Sequence, residues 1–165
     1  MSEICCFSGH REIKQDQIKE VYRLLEQSIT CCIEKGCVDY RAGGAMGFDT
    51  FAALTVLKLK IRYPQIKLHL VLPCKNQDAC WSKQDKDLYR FIIGRADSVR
   101  YVSEKYYPGV MYKRNRALAD GSSLCIVYLE KRSGGTAYTA SYAKEKGVRV
   151  INLREKMQPT NIRPA

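Results

Sequence analysis

The segment SLCIVYLEKRSGGTAYTASYAKEKGVRVINL, residues 123–153, decides the fold. Leu124, Cys125, Ile126, Val127, Tyr128 and Leu129 follow one another without a charge, the pattern of a strand buried on both faces. The run meets Ser133-Gly134-Gly135-Thr136, a turn of small and hydroxylic residues. Tyr138, Tyr142 and Ala143 then mark a helix that Gly147 ends, and Val148 to Leu153 is a second apolar run. The order is strand, glycine turn, helix, strand.

Working outward, the same order recurs towards the amino terminus. Glu3 to Ser8 reads as a buried strand closing on Ser8-Gly9-His10-Arg11. From Gln15 to Gly36, Ile18, Val21, Tyr22, Leu25, Ile29, Cys32 and Ile33 fall at helical spacing. Val38 to Arg41 is a short strand, Ala42 to Gly47 a small-residue turn, and Phe48 to Tyr63 an apolar helix stopped near Pro64. Ile66 to Leu72 reads as a third strand and Ser98 to Val102 as a fourth, with helices expected over Asp85–Arg95 and Gly109–Asp120. This alternation predicts a Rossmann-like α/β fold, a mostly parallel sheet with helices on both faces. Residues 1–153 are expected to form one domain, and residues 154–165, with Pro159 and Pro164, a loose tail.

A chain of 165 residues that is 45% hydrophobic can bury one substantial core, and dividing it would leave two undersized ones. No apolar run reaches about 18 residues and Met1 to His10 does not read as a signal peptide, so a soluble cytoplasmic protein without a membrane contact is expected. The eight cysteines contain no Cys-x-x-Cys pair. They read as reduced, mostly buried thiols, with neither a metal nor a cofactor implied. The net charge of +11 calls for an anionic counterpart: a phosphate-rich ligand, nucleic acid or simple counterions. Lys58, Lys60, Arg62, Lys83, Lys86, Lys144 and Lys146 read as solvated helix surface.

In a parallel sheet of this kind ligands sit outside the carboxyl ends of the strands, and all three glycine turns emerge there. A glycine turn opening into a helix offers phosphate close backbone approach and free N–H groups at the positive end of the helix dipole. Ser133, Gly134, Gly135 and Thr136 have this form, as do Gly43, Gly44, Met46 and Gly47 with Asp49 and Thr50 behind them. Asp49 has two readings, an N-cap or an acceptor for a ribose hydroxyl or base. His10 is placed at the binding edge beside Ser8, Gly9 and Arg11, as a ligand contact or a neutral structural histidine; His69, inside a strand, reads as structural. Arg114 and Arg116 point about 200° apart on one helix, so one of them faces the site together with Asn115 and the other faces solvent.

Taken together, Ser8-Gly9-His10-Arg11, Gly43 to Thr50, Arg114-Asn115-Arg116, and Gly134-Gly135-Thr136 with Tyr142-Ala143 resemble the YpsA-like branch of the SLOG superfamily. The resemblance runs from about Ile4 to Leu153. The superfamily includes LOG phosphoribohydrolases, which cleave the N-glycosidic bond of nucleoside monophosphates, and DprA, which binds single-stranded DNA; other SLOG modules are thought to sense NAD-derived signals. LOG enzymes carry a catalytic glutamate three residues after their Gly-Thr pair, where this chain has Thr139. A threonine cannot stabilise an oxocarbenium-like transition state as a carboxylate would.

The resemblance therefore implies binding, sensing or sequestering of a phosphate-bearing, nucleotide-derived ligand such as ADP-ribose, an NAD derivative or a cyclic nucleotide, in preference to catalysis. One alternative is an N-glycosidase that substitutes Asp49, Asp120 or Glu130 for the missing acid. A second is a DprA-like protein that binds single-stranded DNA, to which the charge and Gly47-Phe48-Asp49-Thr50 speak. Tyr101, Tyr106, Tyr107 and Tyr112 form the one dense tyrosine group and are expected in core or oligomer packing, with stacking on bases as the other reading. A homo-oligomer through helices beside the site, such as Phe48–Ile61, is a further expectation. Cys74 to Lys83 reads as a surface loop, or else as a lid.

Overall fold

The computed structural model describes residues 3–157 of the chain. Its centre is a six-stranded sheet in which every pairing is parallel. The strands are β1 (Ile4–Gly9), β2 (Asp39–Ala42), β3 (Lys67–Leu72), β4 (Ser98–Tyr101), β5 (Leu124–Tyr128) and β6 (Arg149–Asn152), in the spatial order β4-β3-β2-β1-β5-β6. The helices between them are α1 (Ile18–Glu34), α2 (Phe48–Arg62), α3 (Lys83–Arg95), α4 (Val110–Ala119) and α5 (Gly135–Glu145), and a short α6 (Leu153–Lys156) follows β6. Each strand expected from the sequence is present within about two residues of its expected limits.

The two-residue period of a strand divides the core in two. Cys5 and Phe7 of β1, Tyr40 and Ala42 of β2, Leu68, Leu70 and Leu72 of β3, and Ile126 and Tyr128 of β5 all face the layer formed by α1, α2 and α3. Their neighbours Cys6, Val71, Cys125 and Val127 face α4 and α5, packing on Leu118, Ala119 and Ala143. Side chains of Leu, Ile or Phe size each contribute about 1.5–3 kcal/mol when fully buried, so both faces must be covered. That requirement is met by chain direction: right-handed crossovers lay α1 to α3 on one face while the strands step outward from β1 to β4. When α4 carries the chain back to β5 on the far side of β1, the helices change faces.

Three local readings differ from the sequence expectation. Leu153–Lys156, at the start of the expected loose tail, forms a helical turn, held because Asn152 accepts a hydrogen bond from Arg154 N–H and Leu153 is buried; residues 158–165 lie outside the described residues. Tyr101, Tyr106, Tyr107 and Tyr112 are 36%, 62%, 39% and 46% exposed, so the expected core packing is overturned. Tyr101 lies on the edge strand β4, Tyr106 and Tyr107 in the connection into α4, and Tyr112 in the first turns of α4. The helix Phe48–Arg62 owes its apolar breadth to burial on β1, β2 and β3 with α1 and α3 on either side, although Ile61 is exposed at its end. His69 ties three strands together, one ring nitrogen 2.6 Å from Ser98 Oγ and the other 2.7 Å from Asp39.

Candidate functional site

The strand order reverses between β1 and β5, because the chain leaves β1 in one direction and returns to β5 from the other. Connections diverge at such a switch point and leave a crevice above the carboxyl ends of the strands. A cleft of about 440 Å³ lies there, lined by residues from four segments: Ser8 to Arg11 after β1, Ala45 and Asp49 at α2, Tyr106 to Asn115 around α4, and Gly135 and Thr136 at α5.

The turns interlock. Phe48 N–H donates to the His10 carbonyl at 3.1 Å, joining the β1 turn to the start of α2. Gly9 lies so close to Phe48 that a Cβ would overlap the aromatic ring, and Gly47, at φ +78°, would drive a Cβ into the Arg11 carbonyl. These two glycines are required by close approach, and at Gly47 also by the backbone conformation. Across the switch point, His10 Nε2 accepts the backbone N–H of Glu130 at 2.9 Å and faces that of Lys131 at 3.4 Å. An acceptor nitrogen carries no proton, so His10 is neutral with its proton on Nδ1. Burial lowers its pKa, Glu130 raises it and Lys131 lowers it. His10 thus lines the cleft and fastens the end of β1 to the end of β5.

The floor of the cleft carries opposite charges. Asp49 is not the N-cap of α2; that position is Gly47, and no side chain caps the helix. From the first turn, Asp49 Oδ2 instead accepts the Ala45 N–H at 3.2 Å. Burial pushes its carboxyl up to about 6, against the opposing pull of Arg114, the Ala45 N–H and Arg11. Among the described residues no fully buried polar side-chain atom lacks a partner, so Oδ1, which no protein group satisfies, reaches the cleft. Arg114 is 5% exposed. Its guanidinium donates to the Gly43 carbonyl and, at 2.8 Å, to Asn115 Oδ1. Burial lowers its pKa while Asp49 raises it. Arg116, two positions on, is turned outward and donates to the Tyr138 hydroxyl at 3.0 Å, the division expected of the pair.

The amino ends of α4 and α5 complete the wall. Both begin at a glycine with positive φ, Gly109 at +94° and Gly134 at +98°, and neither has a side-chain cap. By contrast Ser82 caps α3, which lines no part of the cleft. First-turn N–H groups without an intrahelical partner or a cap are donors for a ligand. Asn115 Nδ2 reaches the Gly135 carbonyl at 3.5 Å and so couples α4 to the α5 turn.

Of the residues expected at the site, Ser8, Gly9, His10, Arg11, Asp49, Arg114, Asn115, Gly135 and Thr136 line one cleft. Gly43, Gly44, Met46, Gly47, Thr50, Ser133 and Gly134 do not; Gly43 lies behind Asp49 and Arg114, and the Thr50 hydroxyl turns back to Ala45 O at 2.9 Å. Of the three acids that could replace the missing glutamate, Asp49 lines the cleft and Asp120 and Glu130 do not. Asp120 follows α4 at the opposite edge of the sheet and accepts the Tyr142 hydroxyl at 2.6 Å. Glu130 stays outside the lining, paired with Arg154 at 2.8 Å and accepting the Tyr128 hydroxyl. Thr139 is fully buried, its hydroxyl spent on Gly135 O at 2.8 Å. Residues 74–83 line no part of the cleft; Gln77 bonds the Gly44 carbonyl and the Tyr89 hydroxyl, and Trp81 packs on Tyr89. Ala45, Tyr106, Gly109, Met111 and Tyr112 were missed. The signal for the last four was Pro108-Gly109 immediately before a helix, a fourth glycine turn at the same edge.

A six-stranded parallel sheet with a cleft at its switch point, walled by uncapped helix ends, defines a Rossmann-like α/β protein. The chain matches the YpsA family, described as the YspA SLOG family, over residues 2–155, and belongs to it. It is 30% identical over 137 residues to a UPF0398 protein of Brevibacillus brevis, covering 81% of this chain and 69% of that one. A UPF0398 protein of Bacillus thuringiensis is 28% identical over 77% of this chain and 71% of its own. Among solved structures, DNA processing protein A (DprA) of Streptococcus pneumoniae aligns with a TM-score of 0.68 at 24% identity over 90% of this chain, which spans 49% of that protein. The Helicobacter pylori DprA, described for its single-stranded DNA binding mode, aligns at 0.64 and 18% identity, again over 90% of this chain and over 63% of its own. These structural likenesses show the fold. No helix among the described residues is long and apolar enough to cross a membrane.

Proposed function

We propose that the cleft binds a phosphate-bearing, nucleotide-derived small molecule, of the ADP-ribose, NAD or cyclic-nucleotide kind, and that the protein senses or sequesters it. The observation that carries this reading is the meeting of the uncapped α5 amino end, the Thr136 hydroxyl and the buried Arg114 guanidinium at the β1/β5 switch point. Backbone N–H groups and a hydroxyl donate to phosphate oxygens without needing a counter-charge, and a desolvated guanidinium strengthens the electrostatic attraction. Asp49 Oδ1, on the same floor, is the complementary acceptor for a ribose hydroxyl or a base amino group. The test is a thermal-shift screen of the protein against AMP, ADP-ribose, NAD, cyclic nucleotides and short single-stranded DNA, with mass spectrometry of each mixture. Stabilisation with the nucleotide recovered intact supports this reading; release of a free base sinks it in favour of a glycosidase.

A second reading, binding of single-stranded DNA, is favoured by a run of aromatic rings leading away from the cleft. Tyr112 meets Tyr138 at 4.7 Å, Tyr138 stacks on Tyr142 at 6.3 Å, and Lys146 lies 5.5 Å from the Tyr142 ring centre. Tyr112 is exposed and Tyr138 and Tyr142 are half-buried; aromatic rings interleaved with cations suit stacked bases, and the two DprA structures of this fold support the idea. Stabilisation by DNA and by none of the nucleotides would place this reading first.

A further inference from the structure

A second cavity, of about 240 Å³, opens at the opposite edge of the sheet, between the carboxyl end of α1 and the first residues of β1, β5 and β6. Cys31, Cys32 and Cys37 line it together with Lys35, Arg149 and Lys156. The end of α1 explains how two of these sulfurs come together. Gly36, at φ +93°, terminates the helix; Cys37 N–H donates to the Cys32 carbonyl at 3.0 Å and Gly36 N–H to Ile33 O at 2.9 Å. This is a Schellman closure, in which the side chains at the two ends of the longer hydrogen bond pack against each other. Those side chains are Cys32 and Cys37. Behind them lies Cys5, fully buried in β1, its S–H directed to the Cys6 carbonyl at 3.8 Å.

We propose that this cavity is a dithiol oxidation site, in which Cys32 is the sulfur attacked by a hydroperoxide and Cys37 is the resolving thiol. In the first step the Cys32 thiolate attacks the terminal peroxide oxygen; the O–O bond breaks, an S–O bond forms, and the alcohol or water leaves after taking a proton from solvent. Cys37 sulfur then attacks Cys32 sulfur, the S–O bond breaks, water leaves and a disulfide forms. The two thiols supply the two electrons that reduce the peroxide. The helix carboxyl end works against an anion at Cys32. The neighbouring Cys5 thiol, with Lys35 and Arg149 and against burial and Glu3, brings the Cys32 thiol down to about 7. Cys31, adjacent in sequence, is exposed, whereas Cys32 is half-buried beside Cys37.

Tryptic cleavage after Arg23, Lys35 and Arg41 separates the pair into peptides 24–35 and 36–41. The experiment treats the full chain with one equivalent of hydrogen peroxide, blocks free thiols and maps the peptides by mass spectrometry, in a Cys31→Ser background so that peptide 24–35 carries Cys32 alone. Expected are the two peptides joined, loss of the link in Cys32→Ser, and a dimedone-trapped sulfenic acid on Cys32 in Cys37→Ser. Modification of Cys80 before Cys32, or an unlinked pair at full peroxide consumption, would overturn the proposal. Because a cysteine variant can unfold, the unsubstituted chain is also alkylated with limiting iodoacetamide at pH 7: Cys32 is expected to react several-fold faster than the exposed Cys31 and Cys80, and the reverse order would contradict the assignment.

Discussion

Asp49 and Arg114 converge on the same side of Gly43: a Cβ there would lie 2.9 Å from Asp49 Oδ2 and 2.9 Å from Arg114 Nη1. The two groups shift each other's ionisation in opposite directions, and both border the cleft. Gly43 is therefore the space that lets an acceptor and a donor share one floor.

Gly43→Ala is expected to displace the tips of both side chains while sparing the backbone. Nucleotide affinity should fall about tenfold or more, which is about 1.4 kcal/mol, with little change in Tm. Gly47→Ala is the contrast. Its positive φ and the Arg11 carbonyl leave no room, and urea denaturation should show a loss of about 2 kcal/mol or more.

Asp49 makes stability depend on pH. Its carboxyl stands at about 6 in the fold against an ordinary 3.8, so the folded state holds the proton more tightly. The stabilisation from that proton is complete below the unfolded value and is lost as pH rises through about 6, a change of about 3 kcal/mol. Urea titrations at steps between pH 4 and 7 should show this slope in the unsubstituted chain and not in Asp49→Asn.

His10 acts with the opposite sign. Its folded pKa is depressed, so its contribution is complete above the ordinary value of 6.5 and disappears as pH falls through the folded value. Protonation removes the acceptor for Glu130 N–H. The imidazole nitrogen shifts should report the Nδ1–H tautomer at neutral pH, and His10→Ala should cost about 1 kcal/mol.

Salt separates the two readings of the cleft. A mononucleotide or dinucleotide carries one or two phosphates, and raising salt from about 50 to 200 mM should weaken its binding by less than about tenfold. Single-stranded DNA engaged along Tyr112, Tyr138 and Tyr142 would lose far more, and Tyr112→Ala would reduce that binding further by the loss of base stacking.

The sheet was legible because its strands are short apolar runs between glycine turns, and the order of those turns placed Ser8 to Arg11, Asp49, Arg114 and Thr136 at one edge. What sequence could not give was depth. Gly43 and Ser133 belong to the same motifs as Asp49 and Thr136 yet do not line the cleft: Gly43 lies behind Asp49 and Arg114, and Ser133 precedes the helix that carries Thr136. Core burial of Tyr101, Tyr106, Tyr107 and Tyr112 was expected and not found, because the lack of a covering layer is not visible in hydrophobicity. Asp120 and Glu130 were open as acids until their partners, Tyr142 and Arg154, were seen to occupy them.

The central claim is that the phosphate is what the cleft holds, and the most direct measurement is calorimetric titration of AMP beside adenosine into the same protein, repeated with Arg114→Lys. AMP should bind at least about tenfold more tightly than adenosine, and Arg114→Lys should remove most of that difference. Equal binding of AMP and adenosine, or an AMP preference that Arg114→Lys leaves untouched, would contradict it.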